Sequence, residues 1–269
     1  MESGMRSQFK SLLRAVDILD LLEEKGELSV NEVSELSKLP LSTVYKYLTV
    51  MKERGLVAYE KSLQKYRLGM RLFELGSSVQ SRISIDRIAR PYMEELSNQL
   101  QETVGLAVVD GNWAVYVEQV EPVRSNQIVL TLRKGLRSCL HAGAVGKSLL
   151  AYQPDEKIET FLKTAKLTKY TRKTIVDPDQ LRKELRAIRS AGYAFSEEEV
   201  SQGIRAIAAP IFDGEGKVPA GLTVFGPIQR IDGPRKEKVL NLVVEYSKRI
   251  SERLRGEAQV RDEKSAIGK

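Results

Sequence analysis

The sequence predicts an α+β protein of two domains, a small helical domain closed by a basic hairpin and a larger one built on a central antiparallel sheet with helices packed against it. Three observations carry this. Two short apolar helical periods, each with start and stop signals, are followed by a strand–turn–strand pattern between Ser29 and Leu68. Beyond residue 100 the apolar pattern switches repeatedly between alternation and helical spacing. The chain has 269 residues, too many for one such helical domain, and 42% apolar content, enough for ordinary cores.

The N-terminal elements follow from local signals. The first residues, through LLEE at 21–24, form an amphipathic stretch that ends acidic, unlike a secretory leader. Ser29 can cap the next helix, with Glu32 reaching back to complete a capping box. Val30, Val33, Leu36 and Leu39 then mark one apolar face of about three turns. Pro40 turns Leu39 out of the α region and ends that helix. Ser42 offers a second cap, Val44, Leu48 and Met51 form the buried stripe, and Thr43, Tyr45, Lys46, Tyr47 and Lys52 face outward. Gly55 stops the helix as a C-terminal glycine does. A strand starts at Leu56, Lys61 to Lys65 make a turn, and Tyr66-Arg67-Leu68 return. This order of caps, stop and hairpin is that of a winged helix-turn-helix, whose second helix enters the DNA major groove.

Charge supports that reading. Between residues 13 and 37, Asp17, Asp20, Glu23, Glu24, Glu27, Glu32 and Glu35 oppose only Arg14 and Lys25. From 38 to 71 the balance reverses, with Lys38, Lys46, Lys52, Arg54, Lys61, Lys65, Arg67 and Arg71 against Glu53 and Glu60. A basic block confined to the reading helix and wing is the footprint of phosphate neutralisation. The net charge of +7 permits a polyanionic partner without requiring one.

The remaining chain reads as a helical connector at 68–83, a second domain at 84–256 and a charged, frayed tail at 257–269, after a first domain at 1–67. Helices are expected over 85–101, with Pro91 inside, and over 144–152, 154–162, 178–190 and 234–255. Strands are expected at 104–109, 114–120, 128–132, 204–211 and 220–225. Asp110-Gly111-Asn112 and Asp213-Gly-Glu-Gly-Lys supply hairpin turns.

Several motifs invite chemistry and do not sustain it. Gly143-Ala-Val-Gly-Lys-Ser148 resembles a phosphate loop, but His141 stands where the first glycine belongs. The two glycines instead open a helix whose unobstructed N-terminus suits a small anion. Cys139 and His141, two apart, would share a face of a strand, but no orienting third group is evident. Glu197-Glu198-Glu199 reads as a solvated acidic run. The sequence has one His and one Cys, too few for a tetrahedral metal site without carboxylates. No catalytic residue, metal or cofactor is therefore expected. One cysteine also excludes an intramolecular disulfide and fits a reducing compartment, so the cytoplasm is expected. No apolar run is long enough to span a membrane.

Three segments together resemble the IclR family of transcriptional regulators. They are Lys10-Ser-Leu-Leu-Arg-Ala-Val-Asp-Ile-Leu with Leu-Ser-Thr-Val-Tyr-Lys-Tyr-Leu at 41–48, then Leu140 to Ala151, and then Leu185 through Asp213, ending Gly226-Pro227. The resemblance spans roughly residues 10 to 255. It implies a GAF-like effector domain, a homodimer or homotetramer, and a small-molecule effector, often an organic or aromatic acid. By motif it places the effector against Ala144, Val145, Ser196, Ala206 and Thr223, with Leu130 and Leu140 as apolar wall. Ser196 stands where relatives commonly carry an acid.

The function expected is thus a ligand-responsive regulator that binds a palindromic double-stranded operator as an oligomer. Thr43, Tyr45, Lys46 and Tyr47 would contact the groove, Ser42 a phosphate, and Lys52, Lys61, Lys65 and Arg67 further phosphates. The alternatives are an enzyme docked by its winged helix and a DNA-binding protein that does not select sequence.

Overall fold

The computed structural model describes residues 9–80, 85–122 and 133–267. The chain divides into two compact units, Met1–Ile83 and Ser84–Lys269. The first holds helices α1 (Lys10–Lys25), α2 (Val30–Ser37) and α3 (Leu41–Glu53), strands β1 (Val57–Glu60) and β2 (Lys65–Leu68), and helix α4 (Met70–Gln80).

The capping box at α2 forms: Ser29 Oγ accepts the Glu32 amide at 3.3 Å and the Ser29 amide donates to Glu32 Oε2 at 2.7 Å. Those backbone and hydroxyl donors hold the Glu32 carboxyl below its ordinary range. Ile18, Leu22, Val33, Val44, Leu48, Met51, Val57 and Tyr66 make the core of this unit. β1 and β2 pair antiparallel, and Leu28 exchanges two backbone hydrogen bonds with Tyr66, adding a one-residue third edge that ties the hairpin to the start of α2.

Two expectations need correction here. Ser42 does not cap α3. The helix starts at Leu41, Thr43 and Val44 donate their amides to the Pro40 carbonyl, and Ser42 lies exposed in the first turn. Proline's fixed φ, here −56°, already sets the chain for helix entry. Leu36 is also not on the buried face but 45% exposed. At 3.6 residues per turn each three-residue step drifts by about 60°, so the third apolar residue of such a series leaves the face.

The second unit contains α5 (Ile85–Leu100), β3 (Thr103–Asp110), β4 (Trp113–Val120), β5 (Arg137–Cys139), α6 (Ala144–Ala151), α7 (Asp155–Thr164), α8 (Pro178–Ala191), β6 (Ala194–Glu197), β7 (Ile204–Ile211), β8 (Ala220–Pro227) and α9 (Gly233–Ile267). Six strands form one antiparallel sheet in the order β5-β4-β3-β8-β7-β6. Helices α5 and α9 pack on each other and on the sheet, while α6 lies against β7, β8 and β6 and is backed by α8. Every residue of α6 is buried, as expected of a helix enclosed on all sides. This is the α+β architecture read from the sequence.

Strands β5 and β6 were not expected. Each is an edge strand of three or four residues, too short to show alternation. The strand expected at 128–132 lies outside the described residues. Helix α9 runs on past Gly256 to Ile267, over the segment expected to fray. The Ala, Glu, Lys and Arg there are strong helix formers.

Candidate DNA interface and ligand cavity

The first unit brings the basic residues of α3 and of the β1–β2 hairpin onto the surface. Ser42, Tyr45, Lys46 and Lys52 are exposed on α3, and Lys61 and Arg67 are exposed on the hairpin. Thr43 is half-buried. Tyr47 is not fully outward as expected: it packs partly against the core of the unit. Its position three residues after Val44 puts it on the flank of the buried stripe. Lys52 Nζ stands 5.7 Å from the centroid of the Tyr59 ring, which links α3 to the hairpin. Lys65 is half-buried and lies 3.4 Å from Glu32 Oε1, so part of its charge is already met within the chain. Val50, at 57% exposure, lies on α3 unflagged by the sequence, because apolar residues are assigned inward by default.

In the second unit a cavity of about 390 Å³ opens on the α6 face of the sheet. Five of the residues expected at an effector, Ala144, Val145, Ser196, Ala206 and Thr223, line it. The sheet explains why they meet. Ser196 of β6 pairs with Ala206 of β7, Ala206 pairs with Phe225 of β8, and Thr223 is two residues from Phe225, so all share one face. Leu140 does not line this cavity. It is buried in the core and borders a separate opening near the β3–β4 turn. Leu130 lies outside the described residues.

Much of the lining carries no local signal in the sequence. Tyr116, Leu136, Ile204 and Phe225 supply apolar walls, and Arg137, Ser138 and Glu199 supply polar ones. Burial pushes the Tyr116 phenol up. Arg137 is paired with Asp110 at 2.6 Å and is more than half exposed. Thr223 Oγ1 donates to the Ile207 carbonyl at 3.1 Å. Ser196 is 4% exposed. A cavity of this size, mostly apolar with few placed polar groups, is what a small-molecule site requires.

The wall at α6 is anchored by a buried ion network. Lys147 Nζ lies 2.6 Å from Glu199 Oε1 and 2.7 Å from Glu184 Oε1, and donates to the Phe195 carbonyl at 2.9 Å. The other carboxylate oxygen of Glu199 accepts the Gly143 amide at 3.2 Å. Burial raises the Glu199 carboxyl above its ordinary range despite Lys147 and the Gly143 amide. Gly146 has no room for a side chain, since a Cβ there would sit 2.2 Å from the Cys139 carbonyl oxygen.

Two motif readings change accordingly. The lysine of the phosphate-loop lookalike is a buried structural cation. The acidic run is not solvated: Glu199 is buried, Glu197 pairs with Lys173 and Arg205, and Glu198 pairs with Lys173. These partners are distant in sequence, so a charge run alone could not reveal them. Cys139 ends β5 and His141 lies beyond it, so no shared strand face brings them together, but their side chains meet in a hydrogen bond all the same. His141 Nε2 faces the Thr168 carbonyl at 2.9 Å, and the ring stacks on Tyr170 at 6.0 Å. No group of three or more His, Cys, Asp or Glu able to hold a metal occurs among the described residues. No helix there is long and apolar enough to cross a membrane.

A helix-turn-helix unit followed by an α+β unit holding a cavity defines a transcriptional regulator. The comparisons identify which kind: residues 11–61 match the IclR helix-turn-helix domain, and residues 77–252 match the bacterial transcriptional regulator IclR C-terminal family. The chain belongs to the IclR family of bacterial DNA-binding transcriptional regulators, which is not an enzyme family. It is 33% identical to the HTH-type transcriptional regulator KipR of Bacillus subtilis over 91% of this chain and 99% of that protein. It is 30% identical to the transcriptional repressor IclR of Escherichia coli, over 91% and 89%. Among solved structures, IclR of Thermotoga maritima superposes with a TM-score of 0.74 at 34% identity, covering 91% of this chain and 99% of that one. An IclR homolog from Microbacterium hydrocarbonoxydans, complexed with 4-hydroxybenzoate, gives 0.74 at 26% identity, covering 90% and 96%.

Proposed function

We propose that the protein is a cytoplasmic, ligand-responsive regulator that binds a palindromic operator as a homo-oligomer and changes its affinity or geometry when a small organic metabolite enters the cavity. The observation that carries this is the pairing, in one chain, of a basic α3–hairpin surface with a cavity lined by Ala144, Val145, Ser196, Ala206 and Thr223. Exposed Tyr45 and Lys46, with Thr43 and the flanking Tyr47, suit base-edge contact. Ser42, Lys52, Lys61, Lys65 and Arg67 suit phosphates, which position the protein without reading sequence.

Oligomerisation has its own support. Phe9, Leu12, Leu13 and Val16 lie exposed at helical spacing along the N-terminal part of α1. Such a stripe on a single chain marks a surface for a partner, and a second copy would supply the two-fold symmetry that a palindrome mirrors. The effector would act through the connector at 68–83, and only by its differential affinity for two arrangements of the winged helices. The family relative complexed with 4-hydroxybenzoate supports a small aromatic or organic acid as the class of effector.

The test is an operator footprint with the purified chain, with and without a metabolite extract. Protection of a two-fold symmetric site, altered by the extract, is expected. Protection without sequence preference at moderate salt would replace this reading with that of a DNA-coating protein.

A further inference from the structure

Neither the DNA surface nor the cavity uses the one thiol of the sequence, yet that thiol is the centre of a hydrogen-bonded cluster. Cys139 closes β5, and its side chain meets the His141 imidazole and the Tyr170 hydroxyl. His141 is held from its far side. Its Nε2 lies 2.9 Å from the Thr168 carbonyl, and its ring stacks on Tyr170 with 6.0 Å between centroids and 24° between planes. A carbonyl oxygen only accepts, so Nε2 carries the proton of that hydrogen bond, which leaves Nδ1 for the sulfur. Nucleophile, base and orienting acceptor are thus joined in one chain of hydrogen bonds, the arrangement that activates a cysteine. The orienting group is a backbone carbonyl 27 residues along the chain from the imidazole, which no side-chain motif reveals.

Burial opposes a charge on either partner, but the hydrogen bond between them outweighs it, lowering the thiol and raising the imidazole. The pair therefore leans toward thiolate and imidazolium. The other titratable groups around it leave that balance standing. Burial and the Cys139 contact push the Tyr170 phenol up to about 12, so it stays a donor to the sulfur. Burial likewise pushes up the Tyr116 phenol on β4, which remains neutral. Glu199 faces His141 and favours its positive charge, and is itself engaged by Lys147. Cys139 is 7% exposed, whereas Tyr170, stacked on the imidazole, is 45% exposed. The sulfur thus lies just under the surface, closed to bulky reagents and open to a molecule of a few atoms.

We propose that Cys139 is a modification site for hydrogen peroxide, activated by His141 and Tyr170. The thiolate sulfur attacks one peroxide oxygen as the O–O bond breaks. The sulfur is oxidised by two electrons to a sulfenic acid and the peroxide is reduced by the same two. The departing hydroxide takes the Nδ1 proton of His141 and leaves as water. The new oxygen lands beside the cavity wall, since Ser138 lines the cavity and the Cys139 carbonyl lies against Gly146 of α6. With one cysteine in the sequence, no second thiol of the chain captures the product. None of this depends on which ligand the cavity takes.

The experiment treats the reduced full-length chain with hydrogen peroxide, folded and unfolded in urea, traps the sulfenic acid with dimedone and follows the adduct by intact mass. An ordinary thiol is only a few per cent thiolate at about pH 7. The folded chain should therefore react about tenfold faster than the unfolded one at that pH, despite burial, and its rate should rise from a lower pH. The reaction should stop at one adduct per chain. His141→Asn should remove the gain and return the pH profile to that of the unfolded chain. Tyr170→Phe, at an exposed position, should move the profile part of the way. A folded chain that reacts more slowly than the unfolded one, or a wild-type rate and profile in His141→Asn, would overturn the assignment and leave Cys139 a small buried apolar side chain. Should His141→Asn fold poorly, Tyr170→Phe decides in its place: a shifted profile supports the site and an unchanged one overturns it.

Discussion

Lys147 and Glu199 form a buried ion pair 2.6 Å long between residues 52 apart in sequence, and it joins the cavity-lining helix to the loop after β6. Lys147 is 1% exposed, and its ammonium is met by Glu199, Glu184 and the Phe195 carbonyl.

Removing one partner of such a pair leaves an uncompensated buried charge. Lys147→Met should therefore destabilise the second unit by roughly 3–5 kcal/mol, or a midpoint loss of roughly 6–20 °C in thermal unfolding followed by circular dichroism. The double variant Lys147→Met, Glu199→Gln should regain most of that loss, because the stranded carboxylate is gone. A double variant no more stable than the single one would show that the pair is not the cause.

Much of this architecture is legible in the sequence where its signals are local. The capping box at Ser29 and Glu32, the Val44–Leu48–Met51 stripe and the two glycine-containing hairpin turns each act within a few residues, and each appears where expected. The expectations that fail depend on distant partners. Glu199 reads as solvated until Lys147 is placed beside it, and β5 and β6 become strands only because β4 and β7 lie alongside. Ser42 carries a helix-start signal that the helix does not use, because proline also marks a helix start and Pro40 comes first. The cavity positions were legible only through family resemblance, since the pattern of β6, β7 and β8 does not by itself say which face is hollow.

Close backbone approach makes a second test. A Cβ on Gly146 would meet a backbone oxygen, which cannot rotate away. Gly146→Ala should cost at least about 1–3 kcal/mol by overpacking α6 against β5. Gly256→Ala, in α9 with nothing within 4 Å, should instead gain about 0.5–1 kcal/mol from helix propensity. Equal effects of the two in urea unfolding would contradict the packing around Gly146.

The wing residues are expected to differ in their effect on DNA. Lys61 and Arg67 are exposed, so Lys61→Ala and Arg67→Ala should each weaken all DNA alike and reduce the salt slope of log K by about one. Lys65→Ala should reduce it by less, because Glu32 already meets part of that charge. Tyr45→Ala should change which base pairs are preferred while leaving the salt slope intact. Fluorescence anisotropy against operator and scrambled duplexes over a salt series separates these outcomes. A full unit of slope lost at Lys65 would mean that the Glu32 contact opens on binding.

His141 gives the second unit a pH dependence of definite sign. Burial opposes its protonation, but the hydrogen bond with Cys139 and the Thr168 carbonyl outweigh it and raise the imidazole above its ordinary range. The same pairing lowers the Cys139 thiol, although burial alone would raise it. A group whose folded pKa exceeds its unfolded one contributes stability that is full below the unfolded value. That contribution is lost as pH rises through the folded value. The His141 contribution should thus be complete below about pH 6.5 and decline above it, a window distinct from that of the surface carboxylates. Thermal midpoints of the wild type and His141→Asn, measured across this range at constant ionic strength, should converge as the pH rises. Midpoints that stay a constant distance apart would show that the imidazole is not charged in the folded chain.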